Sequence, residues 1–156
     1  MISKHVSYNE VIRSDIAKRK GIENIPTKRQ LVRIRILCQE VFEPLREFLR
    51  IPIFLSSVFR SSELNKVLGG AKNSQHLANN GAAMDLDADV FGYIPNKDIG
   101  NYIRKNLEFD QLIYEDWKNN DYAWIHCSYN EGKNRNQVLI MERKNGKVTY
   151  ESLSII

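Results

Sequence analysis

The chain reads as an α+β domain, a mainly antiparallel sheet with helices packed on it. Three observations predict this. Between residues 14 and 50 apolar side chains recur at steps of three and four, the period of a helix face. From residue 53 onward short apolar or alternating runs take over, and near the end Asn145-Gly146 joins two of them, a strong two-residue hairpin signal. Helices followed by a run of strands, rather than strict alternation of the two, is the α+β order.

Ser14 opens a short helical pattern that Gly21 can end, with Ile16 as its apolar contact and Lys18 to Lys20 in the last turn, where cations suit the helix dipole. Thr27 and Gln30 then form a capping-box pattern, each side chain placed to satisfy a backbone N–H of the other. Behind it Leu31, Ile34, Leu37, Cys38, Val41, Leu45, Phe48 and Leu49 define the longest amphipathic helix, ended by Pro52. Residues 53–58 read as a strand of the buried type. A helix from Ser61 to Leu68 stops at Gly69-Gly70, and residues 71–80 form a polar loop.

In the next strand, residues 83–87, side chains alternate: Ala83, Asp85 and Asp87 share one face, Met84 and Leu86 the other. Pro95-Asn96 introduces a helix through Asn106, with Ile99, Tyr102 and Ile103 inward. Residues 109–115 and 123–129 are strands joined by a polar turn, and residues 137–143 and 147–150 flank Asn145-Gly146.

The 156 residues suit a single domain, 1–156, with a mainly helical part to about residue 50 and the sheet thereafter. No apolar run reaches the roughly 18 residues that a membrane span needs. The N-terminus lacks the apolar centre of a secretory signal, so synthesis in the cytoplasm is expected. Cys38 and Cys127 are too few for a disulfide framework and read as reduced apolar fillers. The net charge of +4 is spread along the chain. No nucleic-acid motif accompanies it, and a solvated surface accounts for it.

The chemistry concentrates in residues 56–87 and 124–128. His76, Asp85 and His126 offer two imidazoles and a carboxylate, a three-ligand set that leaves one metal position open, as catalytic zinc sites do. Spacing by itself does not specify such a site. By residue type alone, Arg60 reads as a surface or helix-entry salt bridge and Ser74 as a turn hydroxyl. His5 has no assigned role, at an end expected to be loosely ordered.

The residues around these positions narrow the reading. Ser74-Gln75-His76, Gly81-Ala82-Ala83-Met84-Asp85 and Trp124-Ile125-His126 stand in the order Ser-x-His, Gly-x-Ala-x-Asp, Trp-x-His. Val58-Phe59-Arg60-Ser61 precedes them. This pattern resembles the zinc D-alanyl-D-alanine carboxypeptidase family, peptidoglycan metallopeptidases with the hedgehog/DD-peptidase fold, and the N-terminal third resembles its phage and prophage members.

The resemblance implies Zn2+ held by His76, Asp85 and His126, with Arg60 and Ser74 binding the stem peptide of peptidoglycan. Asp85 lies nine residues after His76, two more than is usual in the family, with Leu77 to Asn80 lengthening the loop; Asp87 is the alternative ligand. The family's usual base position, three residues before the last histidine, is Ala123 here. Glu115 is the candidate base, with Asp121 as competitor. Trp124, on the face of His126, is a candidate cleft residue, and Trp117 and Tyr129 are weaker ones. The implied activity is removal of a terminal D-alanine or an endolysin-like cut within the stem, on a wall reached after release or as part of a virion. The alternative is a non-catalytic zinc domain that binds wall peptide or a protein partner.

Overall fold

A computed structural model describes residues 1–92 and 94–153. Its centre is a six-stranded sheet: β1 (Phe54–Ser57), β2 (Ala82–Asp87), β3 (Gln111–Lys118), β4 (Asp121–Tyr129), β5 (Gln137–Lys144) and β6 (Lys147–Ser152), in the order β1-β2-β4-β3-β5-β6. Every neighbouring pair is antiparallel except β3 and β5, which run parallel. The helices are α1 (Tyr8–Ile12), α2 (Asp15–Lys20), α3 (Lys28–Leu37), α4 (Glu43–Leu49), α5 (Ser62–Val67) and α6 (Asn96–Asn106).

Local chemistry accounts for most boundaries. The Ser14 hydroxyl caps α2, and Gly21 closes it at a φ of 64°. The buried contact of that helix is Ala17 rather than Ile16, which stays half-buried. The Thr27–Gln30 box starts α3 with both reciprocal bonds in place. A second box, Ser7 with Glu10, starts the five-residue α1.

The long helix from residue 28 to 49 is interrupted. Pro44 cannot donate to the carbonyl of Glu40, and the chain relaxes into a π turn at Cys38–Phe42, where the Glu43 N–H reaches the Cys38 carbonyl. The inserted residue rotates the apolar stripe. Phe42 turns into the core, whereas Phe48 turns out, 60% exposed, and stacks on Tyr102 at 4.0 Å.

One sheet face packs on α3 and α6 through Ala82, Met84, Leu86, Leu112, Ile125 and Cys127, and α4 packs against α6. Gly100 lets α6 lie close: a Cβ there would sit 2.6 Å from the Tyr114 ring. The opposite face carries Asp85, His126, Ile113 and Glu115. Strand β1 is an edge strand with alternating burial, not a fully buried one, since only β2 pairs with it.

The hairpin between β3 and β4 is tighter than the polar stretch suggested. Asn119 and Asn120 alone form its turn, both at positive φ, so the strands extend to Lys118 and from Asp121. The N-terminal segment is anchored too. His5 pairs with Glu43 at 2.6 Å, and Ile2 and Val6 are buried.

Candidate metal centre

Three elements deliver the candidate ligands to one point. Strands β2 and β4 pair with Asp85 directly opposite His126, which puts both side chains on the face away from the helices. His76 arrives from a 3-10 turn, Gln75–Leu77, whose first residues are capped by Ser74: its hydroxyl oxygen accepts from the His76 N–H at 3.4 Å. The turn ends on Ala78 at a φ of 52°, and the chain re-enters the sheet through Gly81 at 76°. The two extra residues before Asp85 are accommodated here, as Asn79 and Asn80 bulge into solvent and His76 still reaches Asp85. Gly81 has no room for a side chain, because a Cβ would lie 2.5 Å from the Tyr129 carbonyl.

The orientation of His76 is set by its neighbours. Its Nδ1 donates to the Val58 carbonyl at 2.7 Å, while the Arg60 N–H donates to the His76 carbonyl at 2.9 Å. With Nδ1 carrying the proton, Nε2 presents a lone pair, and it points at Asp85 Oδ1 from 3.2 Å. His126 Nδ1 lies 2.9 Å from the same oxygen. The ligating atoms of the three side chains lie within 4.8 Å of one another, all three residues buried. Among the described residues this is the one such group.

Two acceptors facing each other at 3.2 Å need a positive species between them, either a proton or a metal ion. Burial, as the largest effect, lowers the His76 pKa and so disfavours the imidazolium, although Asp85 opposes it. Burial alone would raise the Asp85 carboxyl. The charges and hydrogen bonds of His76 and His126 outweigh it and hold the group well below the usual carboxylate range. A neutral imidazole aimed at an ionised carboxylate is the donor set that a divalent metal fits. The Val58 carbonyl supplies the outer partner that metal-binding histidines usually have.

Around this group lies a cleft of about 610 Å³, walled on one side by residues 68–75 and on the other by β5 and β6. Arg60, Ser74, Glu115 and Trp124 all line it. The Arg60 guanidinium holds Asp85 Oδ2 at 2.8 Å and the Ser57 hydroxyl at 2.9 Å, so it steadies the carboxylate and borders the cleft at once. Glu115 pairs opposite Trp124, two pairs along from Ile113 and His126 and so on the same face. Its carboxyl is pushed up to about 7, first by burial and then by the charge of Asp85; His126 and Trp124 work the other way.

The other candidates are occupied elsewhere. Asp87 accepts from the Asn96 side chain at 3.1 Å, and Asp121 caps α6 through the N–H groups of Asn96 and Lys97 at 2.6 and 2.7 Å. Neither lines the cleft. Trp117 stacks edge-on against Tyr122, and Tyr129 borders a separate hollow near Gly81. Cys127 and Cys38 are free and buried, with both thiols pushed up by burial, Cys38 to about 12.

Sequence patterns gave no sign of one supporting network. The Asp110 carboxylate, 1% exposed, takes two bonds from the Arg135 guanidinium at 2.6 and 2.9 Å and one from Gln75 Nε2 at 2.8 Å. Gln75 precedes His76, so the network braces the turn that presents it. The partners are 35 and 25 residues from Asp110, and only the folded chain brings them together.

A sheet carrying a buried His-Asp-His group in an open cleft, with a carboxylate beside it, has the layout of a metal-dependent hydrolase. Residues 4–128 match the family model described as Peptidase M15, and the chain belongs to that family. It is thus a peptidase by family, with the α/β sheet architecture expected of one. A comparison with curated proteins gives no match.

Proposed function

We propose that the protein is a zinc metallopeptidase that hydrolyses the stem peptide of bacterial peptidoglycan. The observation that carries this reading is the lone pair of His76 Nε2 aimed at the Asp85 carboxylate beside His126, in a cleft shared with a carboxyl whose affinity for protons has been raised. Membership of the peptidase family supports it.

In this reading His76, Asp85 and His126 hold the metal. Zinc there would supply Lewis acidity, making water acidic enough to yield hydroxide near neutral pH and polarising the scissile carbonyl. Glu115 is the proton carrier. Its carboxyl, pushed up to about 7 by burial and the charge of Asp85 in the metal-free site, is placed to accept a proton from the attacking water and return it to the leaving amine. Arg60 spends two donors on Asp85 and Ser57, and its remaining N–H groups serve a substrate carbonyl or carboxylate. The Ser74 hydroxyl uses its oxygen to cap the turn and keeps its proton for the substrate. The wall is the site of action, reached after release or from a virion.

The test is direct. Purified protein is loaded with zinc and mixed with a cell-wall suspension and, separately, with a synthetic stem pentapeptide; turbidity and released amino groups are followed with and without chelator. Cleavage that stops with chelator and returns with zinc is expected. Zinc uptake without cleavage of either substrate would instead favour a domain that binds wall peptide and does not cut it.

A further inference from the structure

The cleft continues past the catalytic groups. Its far wall is the β5–β6 hairpin, which lies wholly beyond the residues that match the family model. Pairing carries one face across the sheet: Glu115 is level with Met141 on β5, and Met141 with Tyr150 on β6. One position earlier in the alternation, Ile113 is level with Leu139. Ile113, Leu139 and Met141 form a small buried cluster separate from the main core, a floor of apolar side chains beside Glu115.

On the rim stand Val148 and Tyr150, 46% and 58% exposed, in a strand whose every residue is exposed. Arg143 is paired with Val148 in the ladder. Its backbone N–H is taken by Asp116, yet its exposed guanidinium has no acidic partner among the described residues. The phenol of Tyr150 is raised first by burial and then by the charge of Glu115, and lowered by Arg143, so Tyr150 lies within electrostatic reach of both.

We infer that this hairpin is the specificity wall of the enzyme: Met141, Val148 and Tyr150 support the backbone of a bound peptide, and Arg143 pairs with a carboxylate on that peptide away from the scissile bond. The inference rests on the peptidase reading and names the substrate class within it, an extended, carboxylate-bearing peptide rather than a free dipeptide.

Dimensions agree with this. From β4, which carries His126, to β6 is three strand spacings, about 14 Å at ~4.8 Å each. An extended chain covers that distance with about four residues at ~3.4 Å apiece. A dipeptide held at the metal and Arg60 would leave the shelf and the guanidinium unused. A peptide of stem length reaches both. An unpaired arginine on the wall is moreover a poor feature for an apolar or cationic peptide and a complementary one for an acidic peptide.

Equilibrium binding separates this from catalysis. Zinc-loaded Glu115→Gln protein, with and without Arg143→Gln or Tyr150→Ala, is titrated with three probes: a stem pentapeptide with its internal carboxylates free, the same peptide amidated at those groups, and a capped D-alanyl-D-alanine dipeptide. The free pentapeptide is expected to bind about tenfold or more tighter than the dipeptide, and amidation or Arg143→Gln to remove about tenfold, in line with loss of a charged hydrogen bond. The two changes should not add, because they remove the same contact. Tyr150→Ala should weaken both pentapeptides. Equal affinity for pentapeptide and dipeptide, no binding of any probe, or an Arg143→Gln loss that is the same for free and amidated peptide would each overturn the inference. Cleavage by the wild type is scored apart: cutting without length-dependent binding leaves the peptidase reading and removes the wall, whereas length-dependent binding without cutting does the reverse.

Discussion

Replacing Glu115 by Gln should stabilise the metal-free protein at alkaline pH while sharply lowering its activity when zinc is restored. The folded carboxyl binds its proton until about pH 7, whereas the same group in the unfolded chain releases it near 4.5. Between those values the folded state holds more protons, so the contribution of this group to stability is greatest in acid and is lost as pH rises towards 7. At about 1.4 kcal/mol for each pH unit, the gap amounts to about 3 kcal/mol. Contact of the half-buried side chain with water in the cleft reduces the expected figure to about 2 kcal/mol. Glutamine has the same shape and no charge to desolvate. Urea unfolding of chelator-treated wild type and Glu115→Gln at pH 5, 6, 7 and 8 should therefore give near-equal stabilities at pH 5 and an advantage for the variant that grows to about 2 kcal/mol at pH 8. A difference independent of pH, or one growing in favour of the wild type, would refute the assignment of a buried, proton-hungry carboxyl. With zinc restored, the variant should lose about 10² to 10⁴ in kcat, the range for a positioned proton carrier.

The same carboxyl sets a pH profile: kcat/KM of the zinc enzyme should climb as Glu115 ionises, and Glu115→Gln should remove that limb; a limb unchanged in the variant would exclude Glu115 as base. Asp110→Asn leaves Arg135 and Gln75 without their buried anion; it should cost about 2 kcal/mol in urea unfolding and weaken zinc binding by loosening the turn that carries His76, whereas unchanged zinc affinity would limit Asp110 to a structural role. Gly100→Ala drives a methyl into the Tyr114 ring and should cost about 1–3 kcal/mol, seen as a lower midpoint in thermal unfolding.

What could be read from the sequence was what neighbouring residues decide. Thr27 with Gln30, Ser14 with Gly21, and Asn145 with Gly146 act within a few residues, and the start of α3, both ends of α2 and the turn of the last hairpin fall where they indicate. The alternation in residues 83–87 likewise put Asp85 opposite the apolar face. Features that depend on distant partners were out of reach. That β1 is an edge strand, that β3 and β5 run parallel, and that Asp110 braces Gln75 all depend on which strands meet, and no local period encodes it.

The π turn lay between these limits. Pro44 stands within the helical stripe, whose unbroken period does not show the rotation that exposes Phe48. The short α1 was missed although Ser7 and Glu10 carry its capping box, because five residues offer too little periodicity to register. At the site, the meeting of His76 with His126, fifty residues apart, was accessible only through the resemblance of the motifs; spacing did not contain it.

The central claim is that His76, Asp85 and His126 hold zinc, and metal content tests it most directly. Wild type and a His76→Ala/His126→Ala variant are purified side by side without added metal, offered equimolar zinc, passed through a desalting column and assayed by elemental analysis, with circular dichroism to confirm that both are folded. The account predicts one zinc per wild-type chain and none in the folded variant. A wild type that retains no zinc, or a variant that retains as much as the wild type, would contradict it.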